Sequence, residues 1–227
     1  MRPCRNPSRI SIADDRPQRP CGRSVSSTLP QFWCNAASAT QSPLWGMHAM
    51  DWNDIARRLE AAVLTAFDDL IALAPEPGFY ALALVTEDGA MSVGLAANTE
   101  ETVSIRLEAE HRESSGDPSE EEAWIRWGVG EWRHEGWRDD LFSDVNRLLC
   151  EAVLAPRSHA SDSRLAGLVE AMTMALERLR QARGVLLADT ILFVTLTDSD
   201  AAEAVEDASA CRLNPPDLRD HFLARYA

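Results

Sequence analysis

Two short segments hold the residue types that could perform chemistry, and the first is Thr197-Asp198-Ser199-Asp200. It follows an apolar stretch of strand length and precedes a helical pattern, where α/β proteins often gather ligands. Its two carboxylates could hold a divalent cation, with Glu203 one turn later. The same side chains also cap free N–H groups at a helix start, which needs no ligand. We therefore keep Asp198, Ser199 and Asp200 as candidate binding residues and predict no bound metal.

The second segment is the densest group of aromatic and titratable residues, and contains Glu131, Trp132, His134 and Trp137. Three interpretations stay open. The tryptophans could lie in the core with the polar groups in solvent, or they could anchor a partner surface, as aromatic residues often do. Glu131 and His134 could also perform acid–base work in a cleft. No nucleophile or metal spacing accompanies them, so we keep the four as candidate binding residues and assign no catalytic residue.

Motifs for cofactor and metal chemistry are absent from the sequence. The five histidines are isolated, and no C-x-x-C pair, H-E-x-x-H helix, G-x-S-x-G turn or P-loop occurs. Gly128-Val129-Gly130 lacks the third glycine and the following helix of a dinucleotide site. We predict no cofactor, and a binding protein more readily than an enzyme.

Charge divides the chain into two parts. The first 46 residues hold six arginines and two aspartates, so the net charge of −14 becomes −18 for the remainder. Such an excess keeps a protein soluble, repels nucleic acid and anionic lipid, and attracts basic surfaces. No apolar run is long enough to span a bilayer. The charge predicts a basic protein as partner, no nucleic-acid or membrane partner, and no particular oligomeric state.

The same boundary appears in the composition. Residues 1–46 contain six of the twelve prolines and seven serines without periodicity, which predicts a disordered leader. Met47 and Met50 precede the first patterned segment, so the leader is also explained by a misassigned start. We expect one globular domain over 47–227. Only Cys150 and Cys211 belong to it, each in a helical pattern typical of a reduced, packed thiol, which predicts a cytoplasmic location.

Hydrophobic spacing in the domain predicts an α/β (α+β) fold: a small mixed or antiparallel sheet of about four strands, with an N-terminal hairpin, against several helices. The predicted helices begin at Asp51, Asn98, Asp140, Ser161 or Asp162, and near residue 200, and a last helix over 215–226 has Asn214 as N-cap. At Asn98 the alternation of Val103, Ile105 and Leu107 argues for a strand instead. The predicted strands are 79–85, 91–97, 124–132 and 190–196, and a surface loop covers 111–122.

Three segments carry a resemblance to a known family. They are FYALALVTEDGAMSVGLAANTEE, WGVGEWRHEGW and ILFVTLTDSDAAEAVEDASACRLNPPDL. Together they resemble the bacterial family catalogued as domain of unknown function 4303, over nearly all of residues 51–226. The resemblance implies a compact α/β domain without an assigned activity. With the charge, it leads us to expect a non-enzymatic, acidic protein-binding module, immunity- or antitoxin-like in its sharpest form. The alternative is a small hydrolase or transferase that uses Asp198 and Asp200, or Glu131 and His134.

Overall fold

The structure is a computed structural model that describes residues 50–73, 78–113, 118–154 and 161–226. The predicted leader lies outside these residues. The described helices and strands follow one another as α1 (Trp52–Leu73), β1 (Phe79–Glu87), β2 (Gly94–Thr99), α2 (Glu100–Glu113), α3 (Pro118–Trp127), α4 (Ser143–Leu154), α5 (Ser161–Arg183), β3 (Ile191–Thr197), α6 (Ala202–Leu213) and α7 (Pro216–Leu223). Two short 3-10 turns, Val129–Glu131 and Asp139–Phe142, join α3 to α4.

The strands form one mixed sheet in the order β2-β1-β3. In the middle of the sheet Leu84 of β1 pairs with Leu95 of antiparallel β2 and with Val194 of parallel β3. The predicted α+β class and N-terminal hairpin are confirmed, but the described residues contain three strands and not about four.

Both faces of the sheet are covered by helices, because the side chains of each strand point alternately to the two sides. On one side Leu82, Leu84 and Leu192 pack with α1, α4 and α5. On the other side Ala81 and Phe193 pack with α2, α3 and α7. The fold therefore has three layers, and α6 lies along the free edge of β3.

The predicted strand at 124–132 is wrong, because the end of α3 and the 3-10 turn Val129–Glu131 occupy most of it. Pro118 stands at the start of α3, and the glutamates 120–122 follow in the first turns, where carboxylates suit the helix dipole. The helix ends at Gly128, whose N–H donates to the Trp124 carbonyl at 2.8 Å. A Cβ at residue 128 would lie 2.7 Å from that oxygen, so the turn requires glycine. The apolar residues at 124, 125 and 127 fit the spacing of a strand as well as that of a helix.

Helix starts were predicted with mixed success. Asp51 caps α1 as expected, since its carboxylate accepts from the backbone N–H groups of Asn53 and Asp54. The helix prediction after Asn98 is confirmed, but the cap is Thr99, whose hydroxyl accepts from the Thr102 N–H at 3.2 Å. Asn98 is instead a buried residue of β2. The predicted loop at 111–122 is wrong at both ends, because α2 continues to Glu113 and α3 begins at Pro118, and its centre at 114–117 lies outside the described residues.

The free edge of β3 is covered by side chains of α6 and the residue after it. The side-chain amide of Asn214 accepts from the Leu192 N–H at 2.8 Å and donates to the Leu192 carbonyl at 2.7 Å. Two residues along, the Ser209 hydroxyl accepts from the Val194 N–H at 2.9 Å. Asn214 was predicted as the N-cap of the last helix, but Pro215 holds that position. These side chains bond the backbone groups of β3 that a fourth strand would otherwise pair with.

The free edge of β2 is covered in a similar way by the segment after α3. His134 exchanges two backbone hydrogen bonds with Ala97, both 3.3 Å, and the Trp137 N–H donates to the Leu95 carbonyl at 2.9 Å. The Asn146 amide accepts from the Val93 N–H at 2.7 Å and donates to the Val93 carbonyl at 3.1 Å. At these positions neither edge offers free backbone groups for strand addition.

Helix α5 contacts α1 through a glycine, which leads to a first prediction. A Cβ at Gly167 would lie 2.3 to 2.8 Å from three ring atoms of Trp52. Gly→Ala inside a helix ordinarily stabilises by about 1 kcal/mol. Here we expect Gly167→Ala to lower the free energy of unfolding by about 1 to 3 kcal/mol, since Trp52 must leave its site. Urea unfolding measures this change in the free energy of unfolding.

Gly130→Ala is the control, because nothing lies within 4 Å of a Cβ built at residue 130. A Gly167→Ala variant as stable as wild type would contradict the close packing.

Two other expectations concern the surface. Cys150 and Cys211 are free, as predicted, but both are exposed and not packed. Helix periodicity does not distinguish these surface positions from core ones. None of the helices in the described ranges combines the length and apolarity that crossing a bilayer requires.

Candidate functional site

Asp198, Ser199 and Asp200 form the turn between β3 and α6. Asp198 has φ of 52°, in the left-handed region, and both aspartates are exposed. The Ser199 hydroxyl accepts from the Ala201 N–H at 3.2 Å. Among the described residues no three side chains of the His, Cys, Asp or Glu type gather so that they could hold a metal ion. The turn therefore contains a local Ser199–Ala201 hydrogen bond and two solvent-facing carboxylates, and no side chain caps α6 at its N-cap, Ala201.

Glu131 and Trp132 have structural partners. Nη1 of Arg106 donates to the Glu131 carboxylate at 2.9 Å and to its backbone carbonyl at 2.8 Å. The Trp132 ring is buried between Tyr80 and Phe193, and its Nε1 donates to the Arg126 carbonyl at 3.0 Å. The Tyr80 hydroxyl donates to the same carbonyl. Burial raises the pKa of Tyr80 far above its usual range, so this hydroxyl remains a donor.

His134 and Trp137 hold the edge of β2 against α1. The His134 ring meets Phe79 and Trp137 edge-on, at centroid distances of 5.7 and 5.4 Å. Trp137 Nε1 donates to the Ala66 carbonyl of α1 at 2.9 Å. Side chains and backbone of both residues therefore serve the packing of the edge.

The two predicted segments lie at opposite ends of the sheet. Asp198 follows Thr197, which pairs with Glu87 at the end of β1. His134 pairs with Ala97, which pairs with Leu82 near the beginning of β1. These β1 positions are five residues apart, or about 16 Å along the strand. The structure does not bring Asp198 and Asp200 together with Glu131 and His134.

His134 leads to a second prediction, on pH. Burial, and then the charge of Arg133, lower the pKa of His134 below its usual value. The unfolded chain therefore binds the proton more tightly than the folded one. Protonation of His134 costs no stability above about pH 6.5. Below that pH the free energy of unfolding declines, and the decline ends once the pH has fallen past the lowered pKa of the folded state. We expect a loss below about 1 kcal/mol, because the half-exposed ring is screened by solvent. Urea unfolding between pH 7 and 5 should show a smaller decline in His134→Gln, and equal declines would contradict this assignment.

A groove of about 540 Å³ lies between α3, α7 and the first turn of α2. Its lining residues are Glu100, Glu122, Ala123, Arg126, Trp127, His221, Ala224 and Arg225. None of the seven sequence-predicted residues lines it. These lining residues come from two segments more than 90 positions apart, and no local pattern in the sequence points to them.

Both arginines of the groove are neutralised by carboxylates. Arg126 donates to the two oxygens of Glu100 at 2.7 and 3.1 Å, and Glu122 lies 3.6 Å away. Although burial opposes its charge, the bonds to Glu100 raise the pKa of Arg126. Arg225, whose side chain is 1% exposed, donates to Glu206 at 2.9 Å and Asp207 at 2.6 Å. Four carboxylates thus surround two guanidinium groups, and of these four only Glu100 and Glu122 line the groove itself.

The helices that border the groove are the most acidic part of the fold. Residues 100–127 contain nine acidic residues and three arginines. Each arginine already has an acidic partner: Arg106 pairs with Glu131, Arg112 with Glu108, and Arg126 with Glu100. Acidic residues therefore outnumber arginines nine to three over residues 100–127, and all three arginines already pair with a carboxylate.

Two large apolar side chains are exposed on this acidic pair. Ile105 of α2 is 59% exposed and Trp124 of α3 is 54% exposed. The Arg106 guanidinium lies 5.9 Å from the centre of the Trp124 ring. The helix pattern had a signal for Ile105, because Val103 and Leu107 mark the inner face and Ile105 falls outside it. The sequence had no signal that separates Trp124 from the buried tryptophans.

Comparison with known proteins finds one family. The model of the family described as "Domain of unknown function (DUF4303)" matches residues 59–215, more than half of the chain. No curated protein and no solved structure matches the chain.

Proposed function

The chain belongs to the DUF4303 family of unknown function, and on that premise we propose that it is a non-enzymatic binding module whose acidic surface engages a basic protein. The observation that carries this proposal is the excess of carboxylates on α2 and α3, whose three arginines are all paired. An uncompensated field of one sign attracts a partner of the opposite sign and raises the association rate. The same field disfavours nucleic acid.

The covered sheet edges support a partner that binds to side chains. Backbone groups of Leu192 and Val93, on the two edge strands, are bonded to asparagine side chains. Partners that add a strand to a sheet need such groups free. A partner can instead recognise exposed side chains of the helices. This mode of binding agrees with the position of the acidic surface on α2 and α3.

The sharpest form of the proposal is an immunity- or antitoxin-like role, in which the acidic module neutralises a cationic effector in the cytoplasm. Two free, exposed thiols suit a reducing compartment. The enzyme alternative, a hydrolase or transferase, needs its carboxylates and histidine in one cleft. Glu131 is paired with Arg106 and the Asp198 turn lies at the other end of the sheet, so the geometry favours the binding module.

The test combines the neighbouring genes with kinetics. Each neighbouring gene product is purified and its association with the full chain is measured by stopped flow. A basic partner should associate about tenfold or more slowly when the salt is raised from roughly 20 to 500 mM, because salt screens exposed charges. Co-expression should also relieve any toxicity of that partner. Association only with acidic or neutral products, or rates independent of salt, would overturn the proposal.

A further inference from the structure

We propose that the basic partner docks on the outward surface of α2 and α3 around Ile105 and Trp124, bordered by Glu101 and Glu108. We call this surface the α2–α3 face. The inference rests on the proposed function and adds where the partner binds and what chemistry it presents. The occupant is a basic amphipathic segment of the partner protein, with apolar side chains between arginines or lysines.

The two apolar side chains of the face, Ile105 and Trp124, are each more than half exposed. Val103 is buried and Leu107 half-buried on the inner side of α2, whereas Ile105 points away from them. Trp124 is the exposed tryptophan of α3, while Trp127 of the same helix is in the core. Arg106, next to Ile105 in the sequence, lies 5.9 Å from the Trp124 ring centre, and exposed aromatic side chains are enriched at the centres of protein interfaces.

The border of the face is acidic and its geometry is set by ion pairs. Glu101 and Glu108 lie four residues before and three residues after Ile105, so they share its side of the helix. Both are exposed. Arg106 is held by Glu131 at 2.9 Å and lies over the Trp124 ring, which orients that ring. An apolar centre with a negative border complements an apolar stripe flanked by cations.

The other exposed apolar residues serve as controls. Leu154 ends α4 and is 82% exposed, and Val185 follows α5 and is 93% exposed. They are more exposed than Ile105 and Trp124 and lie outside the acidic pair of helices. General stickiness of exposed apolar groups would therefore involve them at least as strongly.

The probe is a synthetic, dye-labelled helical peptide with leucine on one face and arginine on the other, and its binding to the full chain is followed by fluorescence anisotropy in low salt. We expect the Ile105→Ala/Trp124→Ala double variant to bind about tenfold or more weakly. Glu101→Gln/Glu108→Gln should bind about threefold or more weakly and depend less on salt. Leu154→Ala/Val185→Ala and the exposed Asp189→Asn should stay within about twofold of wild type. Circular dichroism and thermal melting verify that each variant is folded.

The outcomes separate the two proposals. If wild type does not bind the arginine peptide, or binds its glutamate counterpart equally well, the proposal of a basic partner fails, and the α2–α3 face with it. If wild type binds but the face variants and the control variants weaken alike, the face is wrong while the basic partner stands. If the Ile105→Ala/Trp124→Ala variant does not fold, the Glu101→Gln/Glu108→Gln variant still tests whether the peptide binds to the α2–α3 face.

Discussion

Replacing Asn214 with leucine is expected to lower the free energy of unfolding by about 3 to 5 kcal/mol, since an unpaired buried N–H or C=O costs about 1 to 3 kcal/mol each. Asn214 is buried and its amide makes four hydrogen bonds: it accepts from the Leu192 N–H and from Arg180, and it donates to the Leu192 and Ala210 carbonyls. Leucine has a similar size but leaves both backbone groups of Leu192 without a partner. Urea unfolding followed by circular dichroism measures the loss.

Two further variants isolate the cause. Asn214→Asp keeps the oxygen that accepts from Leu192 and Arg180 but loses the donors, so we expect an intermediate loss. Asn53→Leu changes an exposed asparagine in the first turn of α1 and should stay within about 0.5 kcal/mol of wild type. Because Asn214→Leu uncovers the edge of β3, we also expect concentration-dependent association in light scattering. A leucine variant within about 1 kcal/mol of wild type would show that the α6 side chains do not stabilise this edge.

Replacing Arg225 with methionine should have a comparable effect, a loss of about 3 to 5 kcal/mol, because it leaves a buried carboxylate without its counter-charge. Arg225 follows α7 and donates to Glu206 and Asp207 of α6 and to the Phe222 carbonyl. The Glu206 side chain is 12% exposed and would keep one partner, the Thr195 hydroxyl at 2.5 Å. Asp207 is more exposed and can be hydrated.

The control for Arg225 lies on the same helix. Arg219 pairs with Asp220 on the surface of α7, and Arg219→Met should cost less than about 1 kcal/mol. The double variant Arg225→Met/Glu206→Gln should recover at least half of the loss, since a neutral amide can remain buried next to Thr195. Urea unfolding of the four proteins closes the cycle. If Glu206→Gln recovers nothing, the loss comes from packing on Phe222 and Tyr226 and not from the charge.

Both variants act on the C-terminal part of the fold, from α6 to the end of α7. Asn214 joins this part to β3, and Arg225 joins the end of α7 to α6 while lining the groove. Loss of Arg225 should therefore also alter the groove, whereas the α2–α3 face is formed by other helices. The variants that test binding to the α2–α3 face therefore lie outside α6 and α7.

Several features could be predicted from local order alone. The apolar runs at 79–85 and 190–196 became β1 and β3, and the three- and four-residue spacing after Asp51 and Ser161 became α1 and α5. These patterns succeed because burial on one side of an element repeats with the period of that element. The negative charge is also a property of the sequence, since it is a sum over residues and does not depend on their arrangement.

Tertiary structure decided what the polar and aromatic residues do. Asn98 and Asn214 have the residue type of a helix cap, yet one lies in β2 and the other covers β3, because a side-chain amide bonds to whatever polar groups packing brings near it. The sequence does not distinguish Trp124 from Trp132. Because α3 ends and the chain turns between them, Trp124 is exposed whereas Trp132 is buried between Tyr80 and Phe193. Long-range partners of this kind are set by the packing of distant segments, and local periodicity does not record them.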